Sequence, residues 1–302
     1  MKAQAPPQSI AASAPTRQRR RRIRWVVRLA VVGLIAGWLV FVGLDGKFYY
    51  PDRLVYDAPD AFGVTCTDVA IPTRDGLKLH GWFLPAVGAA KATVLHFHGN
   101  AANVSAHISL VAWLPSQGFN VLMFDYRGYG RSEGRVTREG TIIDGHAALD
   151  FLLARPDVDC RRIVAYGQSL GGAVATVVAA ERNEIRGVVL EATFSSYRRI
   201  AAMHVARLPG IGFFSGPLAA ATISSGRDPI DCIARLSPRP VLIIAGENDP
   251  ICFPELGREL FDAAAEPKEF WLAPGSDHLE ILLDHDVELQ ARVTTLIEAA
   301  LR

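Results

Sequence analysis

The sequence predicts an α/β fold, a mostly parallel sheet of eight strands with helices on both faces. Three observations predict it. Short apolar runs alternate with helix-length segments from about residue 67 to the C-terminus. The later runs, "VLHF", "VLMF", "VVLE" and "VLII", lack the in–out alternation of a half-exposed strand, so they suit a sheet covered on both sides. Several of them lead straight into loops rich in Gly, Ser, Asp and His, and such sheets bind ligands beyond the carboxyl ends of their strands.

Composition agrees. The chain has 302 residues, 50% hydrophobic and 21% charged, enough for a sizeable core and too apolar for a disordered protein. No repeat with a period of ~20–50 residues is present, which excludes solenoids and propellers. The net charge of +1 conceals an asymmetry. Lys2, Arg17, Arg19, Arg20, Arg21, Arg22, Arg24 and Arg28 give residues 1–44 a charge of +8 with no acid. The remainder carries 24 basic and 31 acidic residues, a net −7, and has no electrostatic reason to hold nucleic acid.

The elements follow in order. Residues 1–24 form a Pro/Ala/Ser-rich tail with a basic end, expected to be disordered. Residues 25–44 carry Arg28 as their only charge, and twenty helical residues at ~1.5 Å each span the ~30 Å of a bilayer core. They are expected to be a transmembrane signal-anchor helix, with a cleaved signal peptide and a buried core helix as alternatives. The apolar run exceeds the ~7–15 residues of a signal peptide. The basic flank places the N-terminus in the cytoplasm and the body outside it, in the periplasm if the source is Gram-negative. Residues 45–65 read as a linker, in which Phe48, Tyr49 and Tyr50 suit either an aromatic belt at the headgroups or ordinary linker packing.

Two strands open the body, Thr67–Ile71 and Leu77–Leu84, with Asp75-Gly76 as the hairpin turn. Then come strand Thr93–Phe97, helix Val104–Leu114, strand Val121–Asp125, helix Arg138–Leu153, strand Ile163–Tyr166, helix Leu170–Glu181 and strand Gly187–Glu191. Residues ~193–236 break the rhythm. Strand Val241–Ala245, helix Pro254–Ala264, strand Glu269–Leu272 and helix Glu280–Leu301 complete the chain. Cys66, Cys160, Cys232 and Cys252 match no zinc spacing; they are read as free thiols, with a Cys232–Cys252 bridge as the alternative.

The loop after Ile163–Tyr166 reads Gly167-Gln168-Ser169-Leu170-Gly171, a G-x-S-x-G between an apolar strand and a small-residue helix. Glycines flanking such a turn remove the side chains that would clash, and the serine is pushed out above the new helix N-terminus. Gly130-Arg131-Ser132-Glu133-Gly134 fits the same pattern but lies in a charged loop with no such helix, so Ser132 reads as a turn residue. A serine nucleophile needs a base, and the base needs an orienting acid. Asp249 follows the strand Val241–Ala245 and His278 the strand Glu269–Leu272, in the order Ser, Asp, His, with Glu247 and His285 as weaker candidates. The N–H of Leu170, and one from the loop His98-Gly99-Asn100, are expected to hold the oxyanion, the latter from Asn100. His96 and His98 alternate like metal ligands without a matching motif, and read as packing. No metal or organic cofactor is required.

"DGLKLHGWFLP", "HFHGNAAN", "DYRGYGRSEG", "GQSLGG", "AGEND" and "GSDH" occur in that order. With them, residues ~48–301 resemble the α/β-hydrolase superfamily, in the branch of the fungal bud-emergence-type serine hydrolases and their membrane-anchored bacterial relatives. The resemblance implies Ser169, Asp249 and His278 as catalytic triad, Asn100 and Leu170 as oxyanion hole, and a cap at about 193–236 within a hydrolase domain of residues 66–302. One departure is Pro250-Ile251-Cys252 after the acid, where relatives often carry valine and proline. The expected reaction is hydrolysis of a small-molecule acyl ester or thioester, lipid-like ones included, through an acyl-enzyme. A serine aminopeptidase-like activity and a non-catalytic binding protein on the same fold are the alternatives. In the cap, Phe194, Phe213 and Phe214 are expected to line an apolar acyl pocket over Ser169.

Overall fold

The structure is a computed structural model in which residues 48–302 are described. The expected tail (1–24) and membrane anchor (25–44) lie outside them. Among the described residues, no helix is long and apolar enough to cross a membrane.

Eight strands form one sheet: β1 (Thr67–Pro72), β2 (Lys78–Leu84), β3 (Ala92–Phe97), β4 (Phe119–Phe124), β5 (Ile163–Gln168), β6 (Ile185–Glu191), β7 (Val241–Gly246) and β8 (Lys268–Ala273). Their spatial order is β8-β7-β6-β5-β3-β4-β2-β1. All neighbours pair in parallel except β4–β2 and β2–β1, so β2 alone runs against the rest. Every residue of β3, β4, β5 and β7 is buried, as unbroken apolar runs in a sheet covered on both faces require.

Helices α1 (Val104–Val111), α2 (Arg138–Leu153), α3 (Leu170–Glu181), α4 (Tyr197–Ala206), α5 (Ser215–Thr222), α6 (Pro254–Ala263) and α7 (Asp286–Ala300) supply the cover. Alternate residues of a strand face opposite ways. Leu242 and Ile244 join a core with Ile108 of α1 and Val293 of α7. Their neighbours Ile243 and Ala245 face the other side, where they meet Gly257 of α6. On that side Gly145 of α2 comes close to both Phe97 and Val178 of α3, so that a Cβ there would lie 2.8 Å from each.

After β3 the chain turns one way to β4; after β5 it turns the other way to β6. The carboxyl ends of β3 and β5 therefore flank a topological switch point, where open α/β sheets hold their ligands. Helices α4 and α5 lie in the insertion between β6 and β7, at the position expected for the cap.

Residues 48–65 do not behave as a free linker. Tyr50–Pro51 pair in parallel with Ala101–Ala102. Tyr49 is buried, and the Phe48 ring packs against Phe194 and Tyr197, 6.0 and 5.1 Å between centroids. Of the two readings of this aromatic trio, packing holds for Phe48 and Tyr49.

Candidate active site

Ser169 is the single residue between β5 and α3. The chain turns there with φ 53° and ψ −120° at Ser169 itself, a conformation that costs an L-residue ~1–3 kcal/mol and persists only where the surroundings enforce it. The enforcement is steric. A Cβ on Gly171 would lie 2.0 Å from the Phe97 carbonyl oxygen, and one on Gly167 would lie 2.5 Å from that of Gly171. Hydrogen bonds complete it: the Ser169 N–H donates to Glu191 O (2.9 Å), and Thr193 Oγ1 donates to Ser169 O (2.8 Å).

Asp249 stands in the loop after β7. Its Oδ1 accepts the N–H groups of Ile251 and Cys252, both at 2.8 Å. Its Oδ2 lies 2.7 Å from Nδ1 of His278, in the loop after β8. The Asp249 carboxylate is buried, while the imidazole keeps 14% of its surface open. Because Nδ1–H donates to the carboxylate, Nε2 is the proton-accepting nitrogen of the neutral ring.

The runner-up residues are occupied elsewhere. Glu247 Oε2 accepts the Gly275 N–H (2.9 Å), bracing the Asp249 loop against the His278 loop. Nε2 of His285 lies 2.8 Å from Pro274 O.

Ser169 Oγ has the Cys252 Sγ at 3.8 Å, and no hydrogen bond joins it to His278 in this structure. The three residues are nonetheless linked, since the residue touching the serine hydroxyl is also the one that gives its N–H to Asp249. Burial pushes the Cys252 thiol pKa up, and the nearby Asp249 carboxylate adds to this, so the sulfur stays a neutral thiol.

Two backbone amides lie near Ser169. The Leu170 N–H opens α3 and, like any first-turn amide, lacks an intrahelical acceptor. Asn100 follows β3, and Gly99 beside it approaches so closely that its Cβ would sit 3.5 Å from the Ser169 Cβ. The Asn100 side chain does not point a free amide at the site. Its Oδ1 accepts from the Tyr50 N–H (3.3 Å) and Tyr129 OH (3.0 Å), and its Nδ2 donates to Phe48 O. The side chain thus holds the loop, leaving the backbone N–H as the group available to an oxyanion.

The expected acyl pocket is not built from the three phenylalanines. Phe194 is buried in the cluster with Phe48 and Tyr197. Phe213 is 92% exposed and Phe214 59%, edge to face with each other. A cavity of about 480 Å³ beside the cap is lined by Tyr49, Arg138 and Ser225, and by none of them. The short connection through Pro209, Gly210 and Gly212 leaves those rings in solvent rather than folded back over the serine.

Ser132 is a turn residue: its Oγ donates to Asp125 O (2.6 Å) and accepts the His80 N–H (2.9 Å). His96 and His98 are packing residues. His96 Nε2 bonds Gln168 Oε1 (2.9 Å), His98 Nδ1 bonds Gly99 O (2.8 Å), and burial lowers the His96 pKa to about 3. All four cysteines are free, so the Cys232–Cys252 bridge does not form.

One buried group escaped the sequence reading. Glu191, at the end of β6, accepts from Gln168 Nε2 (2.7 Å) and Tyr166 OH through Oε2, directly beside the elbow, and burial raises its carboxyl pKa. The available signal was an acid closing the apolar run "VVLE", because a charge at the end of a buried strand needs partners.

A strand–serine–helix turn at the switch point of this sheet, with an Asp–His pair on the loops after β7 and β8, defines an α/β-hydrolase. The comparisons agree. The profile of the Hydrolase_4 family, described as serine aminopeptidase S33, matches residues 88–235. The chain is 37% identical to YfhR of Escherichia coli O157:H7, an uncharacterised protein, over 83% of this chain and 87% of that one. It is 34% identical to the α/β-hydrolase domain-containing protein WAV2 of Arabidopsis thaliana, over 76% and 80%. Among solved structures, the Pyrococcus furiosus esterase Pf2001 superposes with a TM-score of 0.69 at 25% identity, covering 85% of this chain and 99% of that one. The chain belongs to the α/β-hydrolase superfamily and resembles its bem46-type proteins. It is a hydrolase.

Proposed function

We infer that the chain is a serine hydrolase that cleaves carboxylic esters or thioesters through an acyl-enzyme. The observation that carries this reading is the strained backbone of Ser169 above the α3 N-terminus, with the Asp249–His278 pair on the adjoining loops. The likeness to the esterase Pf2001 supports the ester chemistry.

In this mechanism Ser169 turns from Cys252 toward His278. Nε2 takes the hydroxyl proton as Oγ bonds to the acyl carbon, and the carbonyl electrons move onto oxygen. The backbone amides of Leu170 and Asn100 receive that oxyanion; one such donor contributes roughly 10²–10³ in rate. Nε2–H then protonates the leaving group as its bond to carbon breaks. Water attacks the acyl-enzyme with His278 again as base, releasing the acid. Asp249 holds the ring in the Nδ1–H tautomer and stabilises the imidazolium.

The family description favours one second reading, a serine aminopeptidase. A panel of aryl esters, acyl thioesters and aminoacyl anilides separates the two. Fluorophosphonate labelling tests the nucleophile directly: labelling is lost in Ser169→Ala and kept in Ser132→Ala. Residues 25–44 are proposed to tether the enzyme to a membrane, with the catalytic domain on the extracytoplasmic side. A fusion reporter on each terminus checks the orientation.

A further inference from the structure

In a parallel α/β sheet, the carboxyl ends of the strands and the amino ends of the following helices share one edge. Ser169, Asp249 and His278 stand on that edge. So do most of the large hydrophobic side chains left exposed in the described chain.

Ile251, 48% exposed, lies two residues past Asp249. Leu283 (81%) lies five residues past His278, and Val287 stands in the first turn of α7 just beyond. Leu208, Phe213 and Phe214 form the exposed tip beyond α4. The end of α4 is fixed to the same edge, since His204 Nε2 lies 3.0 Å from Ile251 O and the Arg207 guanidinium stacks 3.8 Å from the Phe253 ring centre. Leu54 and Val55, also exposed, are held against the loop after β3: Asn103 Nδ2 donates to Leu54 O (2.7 Å), and the Tyr56 N–H donates to Ser105 Oγ (3.0 Å). Tyr50, paired with Ala101 in the loop after β3, and Ile211, between Leu208 and Phe213, join them; among the described residues only Phe62, Val87 and Leu272 of the large exposed hydrophobics are not placed there by these connections.

The chain enters the body at this edge as well. Phe48 O accepts from Asn100 Nδ2, so residues 1–47 join beside the candidate oxyanion loop. Those residues include the apolar stretch 25–44, long enough to cross a bilayer. A broad exposed apolar rim marks an interaction site. Here the point of attachment selects the partner.

We propose that this rim rests on a lipid bilayer and that the enzyme draws its acyl substrate from it, an amphiphilic ester whose chain lies in the lipid. The substrate half of the proposal rests on the serine hydrolase reading; the lipid contact does not. A second copy of the chain, or residues 1–47 folded over the rim, are the competing occupants.

The test uses the full chain reconstituted in phosphatidylcholine vesicles. Phe213→Trp places a fluorophore on the rim. Brominated phosphatidylcholine should quench emission beyond the quenching in the unsubstituted protein. The double variant Val55→Asp with Leu283→Asp should lower hydrolysis of a long-chain ester embedded in the same vesicles ~10-fold or more, with a soluble acetate ester within ~2-fold, since an interfacial contact depends on its apolar area. Absence of added quenching overturns the proposal, whether the rim is then covered by a second copy or by the N-terminal segment. So does an equal loss on both esters. Added quenching in a protein that hydrolyses neither ester leaves the lipid contact standing and removes the hydrolase reading.

Discussion

Residues 130–134 and 167–171 carry the same G-x-S-x-G pattern and do opposite things with it. In the first segment the glycines take the left-handed backbone, φ 47° at Gly130 and 85° at Gly134, and Ser132 is left relaxed with its hydroxyl bonded on both sides. In the second the serine takes φ 53° itself, and the glycines serve by having no side chain where Phe97 and Gly172 press in. The unfavourable conformation therefore falls on a spectator in one loop and on the candidate nucleophile in the other. Strain that packing forces onto a reactive side chain suggests a site, whereas strain absorbed by glycine marks a turn.

The sharpest break of this contrast is kinetic. Ser169→Ala should lower kcat by ~10⁴–10⁶, as removal of a triad nucleophile does. Ser132→Ala should keep kcat and lose ~1–2 kcal/mol of stability, because the buried His80 N–H loses its acceptor. Esterase assays with urea melts on both variants decide it; comparable kcat losses would erase the distinction. Asp249→Asn comes next. It keeps the packing but spoils the tautomer of His278, so kcat should fall ~10³–10⁴ with little change in KM. A loss under tenfold would point to another acid.

The glycines sharpen the comparison through stability. Gly171→Ala drives a methyl to 2.0 Å from a backbone oxygen of β3, which no rotamer relieves, and should cost ~4 kcal/mol or leave no soluble protein. Gly134→Ala meets the flexible Leu77 Cδ1 at 2.7 Å and the strain of its positive φ, and should cost ~1–2 kcal/mol. Chemical denaturation measures both. Equal costs would mean that the elbow is no tighter than an ordinary turn.

The fold was legible because its signals are local. Each strand of the sheet is a run of six or seven residues, and all eight were readable. Helix ends were less so. The helix expected at Val104–Leu114 stops at Val111, where the chain tightens into a 3₁₀ turn containing Pro115. The last helix, expected as one piece from Glu280, breaks at His285, whose ring reaches Pro274 O instead of continuing the helix. Of the candidate site, residue types and chain order were legible, since each residue sits just past a strand. What joins residues fifty positions apart was not: nothing in the sequence ties Tyr50 to Asn100. The exposure of Phe213 was equally hidden, because an apolar residue in a Pro/Gly-rich loop reads the same inside or outside.

The smallest expected effect concerns the acid that braces the elbow. The Glu191 backbone carbonyl accepts the Ser169 N–H, and its Oε2 accepts from Tyr166 and Gln168, while Oε1 finds no partner among the described residues. Burial raises its pKa in the folded protein above the unfolded value. Its stabilising contribution is therefore full below the unfolded glutamate pKa of ~4.3 and is lost as pH rises through the folded value. Glu191→Gln keeps an oxygen for both donors and removes the charge. Thermal melts should show the two proteins close together near pH 4, with the variant gaining on the unsubstituted protein as the pH rises above it. A constant gap across the range would mean that Glu191 carries its charge without penalty, and that the elbow is braced by an ion rather than by a neutral acid.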